Sequence, residues 1–148
     1  MGSQASNTAL GRCACGVWVE SRLGQACNEE AFRHFLTMER NRWRRSGRGF
    51  VLIVVRLKAR SGTIANLDTI VAGKVFASLW QTLRATDQVG WFREGRVIGA
   101  LLGDAGDGNR AALYDKVRRA LESALPPDLA AGLRIRAFRI PSDRKHLR

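Results

Sequence analysis

An apolar run of strand length, Phe50–Leu57, is the feature that most restricts how this chain folds. Glycine precedes the run, part of it is β-branched, and the densest apolar patch of the chain lies within it. A run of this kind predicts a central strand that is buried on both faces. The flanking segments must therefore supply the elements that cover it.

Three segments around this strand have apolar residues at helical spacing. Asn28 is placed to cap the first of them, and a glycine-containing segment at 46–49 ends it after a basic turn. The second helix is predicted over 67–83 and the third over 111–125, where two prolines follow.

Three further strands are predicted from apolar patterning, at 88–92, 97–102 and 133–140. The short turn 93–96 contains a glycine and joins the first two of them as a hairpin. The order after the leading helix is β-α-β-β-α-β. This order predicts an α+β fold of the ferredoxin-like or nucleotide-cyclase-like type, with an antiparallel sheet, helices on one face and an extra N-terminal helix.

The length of 148 residues predicts one domain with short extensions. We expect a flexible or partly docked leader over 1–27, the domain over 28–141 and a basic tail over 142–148. No apolar run reaches the roughly 18 residues of a membrane span, and no secretory type of segment opens the chain, so the sequence predicts a cytoplasmic protein.

The sequence predicts no metal site and no cofactor. Cys13, Cys15 and Cys27 could join His34 as four zinc ligands, but their spacing is not that of usual zinc sites. The interpretation as reduced thiols in a leader is favoured. No Ser-His-Asp or Cys-His constellation can be placed either.

The hairpin region carries a resemblance to a known family. Residues 84–97 read RATDQVGWFREGRV. The segment resembles the surroundings of the signature hairpin in GGDEF-type diguanylate cyclases, where an RxxD pair lies five residues ahead of a Gly-Gly-Asp/Glu-Glu-Phe turn. The resemblance extends, less specifically, over about 28–140, and it implies the nucleotide-cyclase fold and a bacterial signalling role.

The resemblance also implies that the catalytic residues have been replaced. Arg56 stands where active relatives have a magnesium-binding aspartate, and the signature turn reads Arg93, Glu94, Gly95 and Arg96. Cyclisation of a nucleoside triphosphate needs carboxylates that hold Mg²⁺ against the phosphates. Arginines gathered there would repel a cation, so we expect a catalytically inactive domain.

Arg84 and Asp87, the RxxD pair, remain. By resemblance they form a site for cyclic di-GMP, and a guanidinium suits paired hydrogen bonds to phosphate or guanine. The alternative is a local ion pair, because Arg and Asp three residues apart can meet on one helical turn. The resemblance also implies a place in exopolysaccharide or surface-behaviour control.

The net charge of +12 leaves two other hypotheses open. Such a charge favours acidic partners, nucleic acid among them, although the predicted central strands lack the aromatic platform of RNA-recognition modules. The other hypothesis is an interaction subunit or homodimer that uses the leading helix, whose large apolar residues exceed what one helix face needs: Phe32, Phe35, Met38 and Trp43.

Overall fold

The computed structural model describes residues 26–83, 87–103 and 110–140. Within these ranges the helices are α1 (Glu29–Ser46), α2 (Thr69–Thr82), α3 (Arg110–Ala124) and the short α4 (Pro127–Ala130). The strands are β1 (Phe50–Leu57), β2 (Gln88–Arg93), β3 (Val97–Gly103) and β4 (Leu133–Ile140).

The strands form one antiparallel sheet in the order β2-β3-β1-β4. β1 therefore lies in the interior of the sheet, as its apolar run predicts. Its register places Val55 opposite Ile98 on β3 and opposite Ile135 on β4. The predicted α+β fold with a β-α-β-β-α-β antiparallel sheet is confirmed.

Helices α2 and α3 cover one face of the sheet and enclose the larger core. Phe76 and Leu79 of α2 and Leu121 of α3 are completely buried there, against Ile53 of β1. Phe76 also contacts Trp91 edge to face, at 5.4 Å between ring centroids. These two helices are those that the sequence analysis expected on one face.

Helix α1 packs on the opposite face, over β2 and β3. Its N-terminus is capped by the Asn28 side chain, which accepts a hydrogen bond from the Ala31 N–H at 2.8 Å. Gly47, with φ 79°, ends it in the left-handed conformation. The Phe32 ring lies so close to Gly99 that a Cβ on Gly99 would be 2.8 Å from the ring, so the glycine lets α1 approach the sheet.

The chain joins the fold slightly earlier than the predicted boundary at 27/28. Ala26 is buried in the larger core, and Cys27 forms a parallel bridge with Gly90. The Cys27 N–H donates to the Val89 carbonyl at 3.1 Å, and the Trp91 N–H donates to the Cys27 carbonyl at 2.8 Å. Ala26 and Cys27 thus extend the β2 edge of the sheet.

None of the helices in the described part of the chain is long and apolar enough to cross a membrane.

Candidate functional site

The hairpin between β2 and β3 forms one end of the sheet. A register irregularity between Trp91 and Arg93 gives β2 an extra residue before the turn. Gly95 has φ 77°, a conformation that suits glycine in a tight turn, and the Arg96 N–H donates to the Arg93 carbonyl at 3.0 Å. The predicted turn at 93–96 is confirmed.

The hairpin is fastened to the N-terminus of α1 by two reciprocal hydrogen bonds. The Glu94 N–H donates to the Glu29 carboxylate at 2.7 Å, and the Glu29 N–H donates to the Glu94 carboxylate at 3.2 Å. The same Glu29 carboxylate forms an ion pair with Arg33 at 2.7 Å. The one carboxylate of the turn is therefore engaged by a residue that lies 65 positions away in the sequence.

The loop after β1 closes on the other side of the same turn. The Leu67 N–H donates to the Gly95 carbonyl at 2.8 Å, and Arg96 Nε donates to Asn66 Oδ1 at 3.2 Å. The bond to Asn66 directs the Arg96 side chain toward the loop between β1 and α2. The turn is thus held by the chain's own groups on both sides.

Arg93 is directed toward α1. Its guanidinium lies 5.8 Å from the centroid of the Phe92 ring. The two residues line a groove of about 270 Å³ between α1 and β2, where Arg33 and Arg40 add further positive charge.

Arg56, near the end of β1, is half-buried and is directed to the same face of the sheet as α1. Its directly opposed partner on β4 is Arg134.

Register brings Arg56, Arg93 and Arg96 to one end of the sheet, since Val55 pairs with Ile98 and Arg93 with Val97. The side chains of Arg93 and Arg96 nevertheless reach different neighbours, the Phe92 ring and Asn66.

The hairpin turn itself offers few groups to a divalent cation. Such a cation takes carboxylate, carbonyl and water oxygens. Glu94 is engaged by α1, the Gly95 carbonyl by Leu67, and the Arg56 position supplies a positive charge. Among the residues that the structure describes, no three His, Cys, Asp or Glu side chains are grouped as metal ligands.

Of the RxxD pair, Asp87 is the residue that lies within the described part of the chain. Asp87 precedes the first residue of β2 and is buried, with 6% of its surface exposed. Arg84 lies outside the described residues, as do Cys13 and Cys15 of the four possible zinc ligands. Of those four, His34 is exposed on α1 and lies beside Phe35, at 6.0 Å between the rings.

The aromatic pair of the hairpin strand divides between the two faces of the sheet. Trp91 is buried in the larger core, and Phe92 contacts Phe32 of α1 edge to face, with centroids 6.2 Å apart. Neither ring is part of an open stacking platform.

The exposed aromatic of the sheet is Phe138 on β4, a residue to which the sequence analysis gave no role. It lies on the α1 side of the sheet, and the alternation of arginine with apolar residues along β4 was the signal that could have indicated it. Of the large apolar residues proposed for an α1 interface, Phe32 is buried, Phe35 and Trp43 are half-buried, and Met38 is 51% exposed.

Comparison with known proteins identifies the fold. No protein-family model matches the chain, and no curated protein matches it in sequence. Among solved structures, a DGC protein from Thermotoga maritima matches with a TM-score of 0.61 at 15% identity, over 80% of this chain and 84% of that one. The GGDEF domain of DgcB from Caulobacter crescentus, in complex with c-di-GMP, matches at 0.57 and 11% identity, over 77% and 71%.

The diguanylate cyclase SiaD of Pseudomonas aeruginosa, in complex with its activator SiaC, is similar as well. The TM-score is 0.60 at 16% identity, and the match covers 92% of this chain but only 53% of SiaD. The chain has the GGDEF-like nucleotide-cyclase fold.

Proposed function

We propose that this chain is a catalytically inactive GGDEF-like signalling domain that binds cyclic di-GMP through Arg84 and Asp87. The observation that supports catalytic inactivity is the set of contacts made by the hairpin turn. Its single carboxylate, on Glu94, is engaged by the N-terminus of α1, and Arg56 places a positive charge at the same end of the sheet. A magnesium ion in that place would find the carboxylate already hydrogen-bonded and would be repelled by the neighbouring positive charge.

The ligand part of the proposal rests on position. Asp87 immediately precedes β2, and the hairpin turn begins five residues after the first residue of that strand, at Arg93. This is the spacing by which the RxxD pair resembles a cyclic di-GMP site. The fold match to DgcB supports the proposal, because that GGDEF domain was solved with c-di-GMP.

The burial of Asp87 makes the proposal specific. The residue is only 6% exposed, so a guanine edge that donates hydrogen bonds to its carboxylate has to displace groups around it. Binding should therefore be accompanied by a local rearrangement around Asp87, and its affinity is reduced by the free energy of that rearrangement.

Calorimetric titration with cyclic di-GMP tests the proposal. The wild-type chain is compared with Arg84→Ala/Asp87→Ala and with a control, Asp115→Ala/Arg119→Ala, which removes the same two charges from the exposed side of α3. Binding that is lost in the first variant and kept in the control supports the proposal. Equal binding by all three proteins would show that the ligand binds elsewhere, and no binding would show that the RxxD pair is not a cyclic di-GMP site in this chain.

Inactivity is tested separately, by incubating the chain with GTP and Mg²⁺ and analysing the nucleotides. We expect GTP to be unchanged. Formation of cyclic di-GMP would overturn the assignment of an inactive domain without affecting the binding test.

A further inference from the structure

We propose that the accessible surface formed by β4 and the end of β1, on the α1 side of the sheet, binds single-stranded nucleic acid. We call this surface the β1–β4 face and define it by Arg56, Arg134, Arg136 and Phe138. The proposal is independent of the cyclic di-GMP site, because Asp87 precedes β2, the opposite edge strand of the sheet.

The β1–β4 face carries a row of like charges. Arg134 and Arg136 alternate with Ile135 along β4, so both are directed to one side and stand about 6.8 Å apart along the strand. Arg56 is directly opposite Arg134 on β1. Like charges in directly opposed positions destabilise a sheet, so this arrangement is unfavourable unless an anion lies over it.

No carboxylate in the described part of the chain neutralises these three arginines. Arg134 donates to the backbone carbonyls of Leu133 and Ala131, at 3.0 and 3.3 Å. Arg136 has its guanidinium 5.5 Å from the centroid of the Phe138 ring. Their charges therefore stay available to a ligand, in contrast to the arginines that form ion pairs within their own helices, which are Arg33, Arg42 and Arg118.

Phe138 adds an exposed aromatic ring to the positive charges of the β1–β4 face. Its ring follows Arg136 on the same side of β4 and is 42% exposed, although it lies in a strand where an apolar residue could be buried. An exposed ring beside a guanidinium offers planar surfaces on which a base can stack, and the neighbouring arginines can contact phosphates. Proteins that bind single strands combine these two features.

The observations disfavour two other occupants. A second copy docked symmetrically through the same face would bring a second row of arginines against the first, which is repulsive. An added strand from another protein would need the free edge of β4, but two carbonyls there already accept hydrogen bonds: that of Leu133 from Arg134, and that of Ile135 from Tyr114 at 3.2 Å.

Fluorescence anisotropy of the full chain with a labelled oligothymidylate of about 12 nucleotides, within the site sizes of single-strand binders, tests the proposal. The variant Arg134→Ala/Arg136→Ala is compared with Lys116→Ala/Arg119→Ala, which removes two exposed positive charges from α3 on the opposite side of the sheet. We expect the first variant to bind at least tenfold more weakly and the control to stay within twofold of wild type. The slope of log affinity against log salt should also fall by about 1.4 in the first variant, which is about 0.7 for each of two phosphates that the protein no longer neutralises.

The variant Phe138→Ala distinguishes a face that binds nucleic acid from one that binds an acidic protein. Loss of a stacked base should weaken oligothymidylate binding about fivefold or more. The matched variant Ile70→Ala, which removes an apolar residue that is 72% exposed on α2, should have no effect. Polyglutamate of equal charge serves as the second probe, and its binding should be insensitive to Phe138→Ala.

Three results would overturn the proposal. One is the absence of oligothymidylate binding. Another is equal weakening by both double variants, which would indicate binding by net charge alone. The third is polyglutamate binding as tight as that of oligothymidylate, with the same dependence on Arg134 and Arg136 and none on Phe138, which would assign the face to an acidic protein.

Discussion

The face of the sheet beneath α2 and α3 differs from the face beneath α1 in how far it is covered and in what it leaves exposed. On the first, large apolar residues such as Phe76 and Leu121 are completely buried. On the second, α1 buries a smaller cluster that includes Phe32, Phe50 and Leu101, whereas β4 presents Arg136 and the exposed ring of Phe138. The comparison indicates that both faces have a core, but only the second also has exposed groups that contribute little to stability.

The largest effect expected from this comparison is that of two matched phenylalanine substitutions. Phe76→Ala should lower the free energy of unfolding by about 3–5 kcal/mol, because it leaves a cavity beside Trp80 and Trp91. Phe138→Ala should lower it by less than about 1 kcal/mol, since it removes an exposed ring and one cation–π interaction. Urea denaturation of both variants measures the difference.

A comparable loss of stability in the two variants would contradict the comparison. It would mean that Phe138 is part of the packed structure, and the β1–β4 face would then lose its character as an open surface.

A smaller effect is expected where the second face is fastened to the hairpin. Glu29→Ala and Glu94→Ala each remove one of the two reciprocal hydrogen bonds, and each should cost about 0.5–2 kcal/mol of unfolding free energy, as the loss of a helix cap does. Glu29→Ala also removes the solvent-exposed ion pair with Arg33, which should add little to its cost. Glu30→Ala is the control, because it removes an acidic residue from the same first turn while both hydrogen bonds to the hairpin stay in place.

The double variant Glu29→Ala/Glu94→Ala sharpens this prediction. The loss of one bond releases the hairpin from α1 in part, so the second loss should cost less than it does alone. Strict additivity would indicate two independent bonds and no fastening of the turn. If Glu30→Ala lowers stability as much as Glu29→Ala does, the cause is the loss of negative charge at the helix end and not the loss of a hydrogen bond to the hairpin.

Local signals account for the parts of the fold that the sequence predicted well. The apolar run of β1, the cap residue Asn28 and the turn glycine Gly95 each act within a few residues, and the structure has the predicted strand, helix start and turn at these positions. The docking of Cys27 on Gly90 could not be predicted in the same way, because it depends on residues that are distant in sequence.

In the candidate site, too, some features could be predicted from the sequence and others depend on residues that are distant along the chain. The sequence placed Arg56, Arg93 and Arg96 at one end of the sheet, which follows from strand order alone. It did not indicate that Glu94 contacts Glu29, a residue 65 positions away, or that Phe138 would be left exposed, because both depend on which strands α1 covers. Periodicity predicts that a helix has an apolar side, but it does not predict how much of a sheet that side will cover.

The smallest expected effect concerns the facing arginines of β1 and β4. Arg56→Thr removes one of two directly opposed like charges and places a residue that suits strands in a central strand. We expect the free energy of unfolding to rise by about 0.2–1 kcal/mol, the range of cross-strand pair effects. Because the cause is repulsion, the gain should shrink in about 1 M salt, where charges more than about 3 Å apart are largely screened.

A stabilisation that is present at low salt and lost at high salt would mean that the wild-type chain keeps Arg56 at a cost to its stability. Arg134→Thr should then give a similar gain in the wild-type chain but little in the Arg56→Thr variant, since either substitution alone relieves the same repulsion. Destabilisation by Arg56→Thr would instead show that the half-buried stem of Arg56 packs against the sheet and stabilises it. In that case the arginine row would be partly structural, and the β1–β4 face would depend on Arg134, Arg136 and Phe138 for any ligand that it binds.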